Sequence, residues 1–368
     1  MNALHKNVDD WLLGKKNRII KPKQGGGFSW HAYGSSGGGR KKPLKQGFGI
    51  KNLTAAAQNK PEVMVKIPQR HGSSNGLKGI KNNLDYISRN GELDLEDNNG
   101  NIISGKSEIN DLLLEYEMLG IEEESKYKEA INVVLSMPPN TDPVALKNAV
   151  REFAKETFPD NRWVMVQHLD TDHPHCHLNV LMRDKFGIRL NPRKNDLYEW
   201  RLRFAEKLRE HGIECAATRR QHRGKYQKAQ SGIVRHIRDR GGYSTVLAQQ
   251  AMELAKAIKE EKRPTSPFLQ KQLETQKIIV EEYGALAKEL FKLGYKKEAR
   301  LISLLRKQVE DGDLSTSAQQ EYDKAMANRN IQPNIQTTSE IPQPNNQPNL
   351  SGSPEQHGLG DDNMEIDR

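Results

Sequence analysis

Residues 168–177 read HLDTDHPHCH, ten residues that carry four histidines and two aspartates. Imidazole is a common ligand for divalent metal ions, so the first question is whether these side chains can meet at one point. Side chains alternate faces along a strand, which puts His175 and His177 on one face and Cys176 on the other. In the preceding apolar run, RWVMVQHL, His168 shares a face with Val164 and Val166. The intervening LDTDHP is short enough to lay the two strands side by side and antiparallel, so His168, His175 and His177 converge without any long-range assumption. Three neutral imidazoles at about 2.1 Å suit a divalent ion and leave coordination positions open to substrate oxygens. A structural zinc is normally closed by a fourth ligand, often cysteine, and Cys176 faces away. Asp170 and Asp172 are near enough to orient imidazole N–H groups. A lone His-X-His on a strand is commonly incidental; the third histidine across the turn is what favours a metal. His173, at the turn itself, is either a solvated residue or a substrate contact.

The elements that position this cluster follow from hydrophobic period. EVMVKIP (62–68) alternates Val63, Val65 and Ile67 with polar residues, as a strand does, and order is expected to begin there. LKGIKNNLDYISRNG spaces Leu77, Ile80, Leu84 and Ile87 as a helix that Gly91 stops, with Tyr86 beside the apolar stripe. A helix is expected over 107–119 and a buried strand over 131–137 (INVVLSM). Thr141, Asp142 and Pro143 then open a helix to about Phe158, with Leu146, Val150 and Phe153 inside. Strands over 162–169 and 175–182 precede a helix that ends at Gly212. The result is an α/β fold with a mainly antiparallel sheet. After Gly224 only helical patterns follow, over 244–261, 266–293 and 295–310. The expected domains are a flexible basic extension (1–60), an α/β domain (61–224), a helical region (225–327) and a disordered polar tail (328–368) ending in acids.

Charge narrows the partner. The chain has 368 residues and a net charge of +9, concentrated in two blocks. Residues 1–60 hold twelve Lys/Arg against Asp9 and Asp10, and residues 183–240 hold seventeen against seven acids, a balance of +10 in each. Two such blocks imply a polyanion, most simply nucleic acid; the plain alternative is a basic protein with no such partner. Within 22–50, Phe28, Trp30, Tyr33 and Phe48 are interspersed among glycines and lysines, a mixture able to neutralise phosphates and stack on bases, or simply a flexible tail. The two cysteines, Cys176 and Cys215, make no disulfide framework, and no run of about 20 apolar residues or secretory leader is present, so a cytoplasmic protein without a membrane span is expected.

In a basic protein, a metal held by histidines suggests phosphodiester chemistry, with the ion polarising the phosphate. If water is the nucleophile the protein is a hydrolytic nuclease; if a side chain is, a covalent intermediate forms and the strand can be rejoined. Here the motifs become specific. HLDTDHPHCHLNVLMRD resembles the third motif of the conjugative MobP-type relaxases of the HUH endonuclease superfamily, IKNNLDYISRNGELDL their first, and INVVLSMPPNTD their second. CAATRRQHRG resembles the end of their nuclease domain, and together these motifs cover about residues 62–224.

The resemblance implies the HUH relaxase fold: a central, mainly antiparallel five-stranded sheet flanked by helices, here followed by a helical C-terminal region. It implies Tyr86 as the nucleophile with Asp172 in the catalytic set. His168, His175 and His177 would hold Mg²⁺ or Mn²⁺, and Ser136, Arg89, Arg219 and Arg220 would contact DNA. By type alone, Tyr33, Tyr116, Tyr127, Tyr198, Tyr226 and Tyr243 compete with Tyr86, a tyrosine beside an apolar stripe is commonly core, and Arg89 also reads as a helix-end cation. The implied partners are transfer-origin DNA, accessory DNA-binding proteins and a type IV secretion coupling protein, with translocation to a recipient cell. The sequence departs from the family in its roughly sixty residues ahead of the first strand. Two rivals stand beside this reading. A rolling-circle replication initiator shares the chemistry but usually carries its tyrosine after the histidines, and a DNA-binding protein with a structural zinc has no catalysis at all.

Overall fold

The computed structural model describes residues 1–20, 43–68, 75–227 and 232–331, which divide into two units. The first unit, residues 1–225 with 271–313, is built on a six-stranded antiparallel sheet. Its strands are β1 (Met64–Lys66), β2 (Leu95–Asp97), β3 (Ile102–Ile103), β4 (Ala130–Ser136), β5 (Asn161–His168) and β6 (His175–Asp184), in spatial order β1-β4-β6-β5-β2-β3. The sixth strand comes from the β2–β3 hairpin, which the resemblance to a five-stranded sheet does not imply. Strands of three and two residues are too short to show a period-two pattern in sequence.

Alternation along β4, β5 and β6 divides the sheet into two faces. Val133, Leu135, Met165, Cys176, Leu178 and Val180 point into one core, which α5 (Pro143–Thr157) and α6 (Lys194–Glu210) cover with Leu146, Phe153, Trp200 and Phe204. Val164, Val166 and Leu181 point the other way, under α3 (Gly76–Ile87) and α4 (Gly105–Met118), which supply Leu77, Ile80, Leu84, Ile87, Ile109, Leu113 and Tyr116. The helices start and stop on local chemistry. Asp142 accepts a hydrogen bond from the Val144 N–H at 2.9 Å with Pro143 in the first turn of α5, and the Asp196 carboxylate accepts from the Arg193 N–H at 2.8 Å at the start of α6. The chain leaves α3 through Arg89, Asn90 and Gly91, all at positive φ. Gly91 is needed there, because at φ 89° an added Cβ would lie 2.8 Å from the Lys106 backbone nitrogen.

Two sequence expectations are corrected. Order does not begin at Glu62: α1 (Asn2–Leu12) and α2 (Phe48–Ala57) are helices within the stretch expected to be flexible. Leu4, Val8, Trp11 and Leu12 fall at helical spacing and bury a stripe that basic neighbours disguise in composition. The buried Asp9 carboxylate accepts the Gly47 and Gly49 N–H groups at 2.7 and 2.8 Å and so caps α2. Phe28, Trp30 and Tyr33 lie outside the described residues, whereas Phe48 is buried in α2.

The second correction concerns the helical region. α9 (Leu269–Lys292) and α10 (Lys296–Glu310) bury Ile279, Tyr283, Leu286, Ile302, Leu305 and Val309 in a common core with α1, α2 and Ala216, so they complete the first unit. The second unit contains α7 (Gly232–Asp239), α8 (Thr245–Lys259) and α11 (Ser317–Ile331), where Arg263 pairs with Asp323 at 2.7 Å. Residues beyond 331, most of the expected polar tail, lie outside the described residues. Among the described residues no helix is long and apolar enough to cross a membrane.

Candidate active site

His168 ends β5 and His175 begins β6, and the two are direct partners in the ladder, with Val166 opposite His177. The short LDTDHP connection therefore places all three imidazoles on the face that α3 covers. Their ring centroids are 4.6 to 5.1 Å apart, and one nitrogen from each lies within 4.8 Å of the others. All three histidines are buried, at 1%, 7% and 0% exposure, in a spot that excludes bulk water. Burial lowers the His168 pKa, against the Ile87 carbonyl, which favours the protonated ring. A neutral imidazole is the form that binds a metal.

Each ring has a hydrogen-bonding partner at one nitrogen, and His168 has a second contact, to Arg89, at the other. His168 Nε2 donates to the Ile87 carbonyl at 2.7 Å, and His175 Nδ1 donates to the His173 carbonyl at 3.0 Å. His177 Nδ1 lies against the Asn132 amide, 3.0 Å from Nδ2 and 3.3 Å from Oδ1. The tautomer that turns the His177 Nε2 lone pair into the cluster is the one in which the amide oxygen accepts. Three buried, oriented imidazoles fit a divalent cation, and their donor chemistry makes an open three-ligand set. Cys176 points into the opposite core, where burial pushes its thiol up to about 12, so it is not part of the set.

Tyr86 sits in the last turn of α3, half-buried, with its ring edge-on to His177 at a centroid distance of 5.9 Å. Two polar ties hold this end of the helix to the sheet. One is the His168–Ile87 bond, and the other runs from Asn179 Nδ2 to Asn83 Oδ1 at 2.8 Å. Arg89, at φ 54°, folds back so that its guanidinium carbon lies 5.8 Å from the Tyr86 ring centroid. Its Nη2 is 2.6 Å from the Asp170 carboxylate and 3.5 Å from His168 Nδ1. Partial burial acts to raise the Asp170 pKa, but the Arg89 charge and hydrogen bond, a backbone hydrogen bond and His168 together outweigh it and hold the carboxyl below its ordinary value. A residue without glycine's freedom in the left-handed region stores strain of about 1 kcal/mol, so Arg89 is held in place by its contacts.

Ser136, the last residue of β4, is the ladder partner of His175 and shares its face. Arg219 and Arg220 lie outside the cluster, half-buried beyond β1. Asp172 is exposed, and among the described residues the imidazoles are oriented by two backbone carbonyls and Asn132 rather than by Asp170 or Asp172. Asn132, Asn83 and Asn179 are the site residues that sequence reasoning missed. Asn132 and Asn179 sit at alternating positions of otherwise apolar strands, and a polar residue facing inward from a buried strand was the available signal.

Comparison with known proteins adds an independent finding. Residues 86–213 match the family model of the MobA/VirD2-like relaxase nuclease domain. The chain is 29% identical over 186 residues to the T-DNA border endonuclease VirD2 of Agrobacterium fabrum, covering 45% of this chain and 41% of that protein. It is 30% identical over 186 residues to VirD2 of Rhizobium radiobacter, with 45% and 44% covered, and 27% identical over 190 residues to that of Rhizobium rhizogenes, with 46% and 43% covered. The matched region thus spans less than half the length of these relatives. Over the segment that holds Tyr86, Ser136 and the three histidines, the chain is similar to the MobA/VirD2-like relaxase nuclease domain and to the T-DNA border endonucleases.

Proposed function

We propose that this protein is a conjugative plasmid mobilisation relaxase, an enzyme that nicks one strand at a transfer origin and later rejoins it. The observation that carries this reading is the approach of Tyr86, at the end of α3, to the buried imidazole cluster. Tyr86 Oη attacks the scissile phosphorus; the new P–O bond to tyrosine forms as the bond to the 3′ oxygen breaks, and the phenolic proton is matched by the proton that the departing 3′ oxygen takes up. The products are a 5′-phosphotyrosyl link and a free 3′-OH. One ester replaces another, so the step is close to energetically neutral and can be reversed to reseal the strand.

A divalent ion, Mg²⁺ or Mn²⁺, held by His168, His175 and His177 would withdraw charge from the phosphate. The protein's own residues supply the rest. The ties through Ile87 and Asn83 fix the helix end that carries Tyr86. Arg89 offsets negative charge as it develops beside the tyrosine, with Asp170 holding the guanidinium in place. Ser136, beside His175, is positioned to hydrogen-bond the phosphate backbone, and Arg219 and Arg220 contact DNA further along. Piloting of the bound strand into a recipient, with accessory proteins and a secretion coupling protein, completes the proposed role.

The test is a covalent adduct. Wild type incubated with Mn²⁺ and a single strand carrying the nick region should give a protein–DNA band that survives SDS, and Tyr86→Phe should bind the strand and give none. An adduct of undiminished yield in Tyr86→Phe would remove the assignment.

A further inference from the structure

A second charged cluster lies at the same end of the sheet, past the edge strand β1. Val63 and Val65 point into the α5/α6 core, so Glu62 and Met64 face the histidine side. Met64 is the ladder partner of Ser136, and Ser136 of His175. Glu62 is therefore two strands across and two residues beyond His175, roughly 12 Å away at ordinary strand spacings.

The Glu62 carboxylate organises what surrounds it. It accepts from the Thr218 N–H at 2.8 Å and the Thr218 hydroxyl at 2.6 Å, and it pairs with Arg223 Nε at 3.3 Å and Arg201 Nη2 at 3.8 Å. Arg201 also donates to the Thr218 carbonyl at 3.2 Å. The next residue, Arg219, lays its guanidinium over the Tyr198 ring, 4.4 Å from the centroid. Among the described residues no carboxylate lies within ion-pair distance of Arg219, although it is half-buried. A partly desolvated, stacked guanidinium held without a counter-charge is matched to an anion, and its planar fork suits phosphate.

We propose that Arg219, presented by Glu62 through Thr218 and flanked by Arg201, grips a backbone phosphate of the nucleic acid strand a few nucleotides from the histidine cluster. This rests on the DNA reading above. Glu62 acts through the arginines and is a positioning residue, which gives the proposal a sign opposite to simple charge counting.

The test is fluorescence-anisotropy titration of the full chain with labelled oligo(dT) over a range of salt. Arg219→Gln should bind about tenfold more weakly and lower the slope of log K against log salt by about 0.7, the value for one single-strand phosphate contact. Glu62→Gln makes the protein more positive yet should also weaken binding, with little further loss when added to Arg219→Gln. Arg162→Gln, which removes a pair with Glu115 at the end of β5 opposite His168, serves as the control and should bind like wild type. Tighter binding by Glu62→Gln, or wild-type affinity and slope in Arg219→Gln, would overturn the proposal. Arg219→Gln changes a partly exposed side chain and decides the question even if Glu62→Gln fails to fold. A wild type that forms the Tyr86 adduct while Arg219→Gln is silent refutes this inference alone; a wild type that binds no oligo(dT) refutes the DNA reading and this inference with it.

Discussion

Replacing Asn132 by alanine separates the orientation of a proposed metal ligand, His177, from the ligand itself. Asn132 is 9% exposed in β4, opposite Asn179, and its amide is the group at His177 Nδ1. Truncation leaves that ring nitrogen without the amide and the imidazole able to turn or change tautomer. Loss of such an outer partner costs about 10- to 100-fold in metal affinity, roughly 1.4 to 2.7 kcal/mol. Because the site is buried, water cannot readily replace the amide, which argues for the upper half of that range. Isothermal titration of the metal-free protein with Mn²⁺ reads the effect directly, with no DNA and no turnover in the assay. Asn132→Asp provides a stronger acceptor at the same position and should bind Mn²⁺ at least as tightly as wild type. An alanine variant that melts normally and binds Mn²⁺ with wild-type affinity would refute the orientation argument, and so would an aspartate variant that binds more weakly than alanine.

Two further outcomes follow from backbone conformation and burial. Gly91→Ala should destabilise the first unit by about 2 kcal/mol or more, since alanine resists φ 89° and its Cβ would meet Lys106 nitrogen at 2.8 Å; denaturant melts should show a lower midpoint, and a midpoint equal to wild type would mean the turn adapts freely. His222, enclosed by Trp11 and Tyr283, has its pKa driven down to about 3, chiefly by burial and further by the Arg219 and Arg223 charges. The unfolded chain binds a proton at this residue below about pH 6.5 while the folded chain does not. Stability is therefore full above pH 6.5 and falls on acidification through the window down to about 3, by about 2 kcal/mol between pH 7 and 5. Thermal melts at those two pH values should show this, and the pH dependence should be smaller in His222→Gln; an equal pH dependence in the two proteins would assign it elsewhere.

The histidine cluster was legible in the sequence because everything it needs is local. A period of two sends His175 and His177 one way and Cys176 the other, and a short turn brings His168 alongside, so ten residues determine the arrangement. The helix carrying Tyr86, with its stripe of Leu77, Ile80, Leu84 and Ile87, was legible for the same reason at a period of 3.6. What sets Tyr86 apart from tyrosines in equally plausible helices is contact across 91 residues of chain, its ring against His177. The Asn132–His177 contact, the His168–Ile87 bond and the Arg89–Asp170 pair likewise join positions that no local pattern relates.

The termini make the same point on a larger scale. α1 shows a helical period, but its apolar stripe alone could not say that it would be buried against α9 and α10, nearly three hundred residues away, instead of remaining exposed. Periodicity along the chain determined which face of each element is apolar; only the tertiary structure decided which faces meet, because burial is a property of two surfaces and the sequence near either one describes only that one.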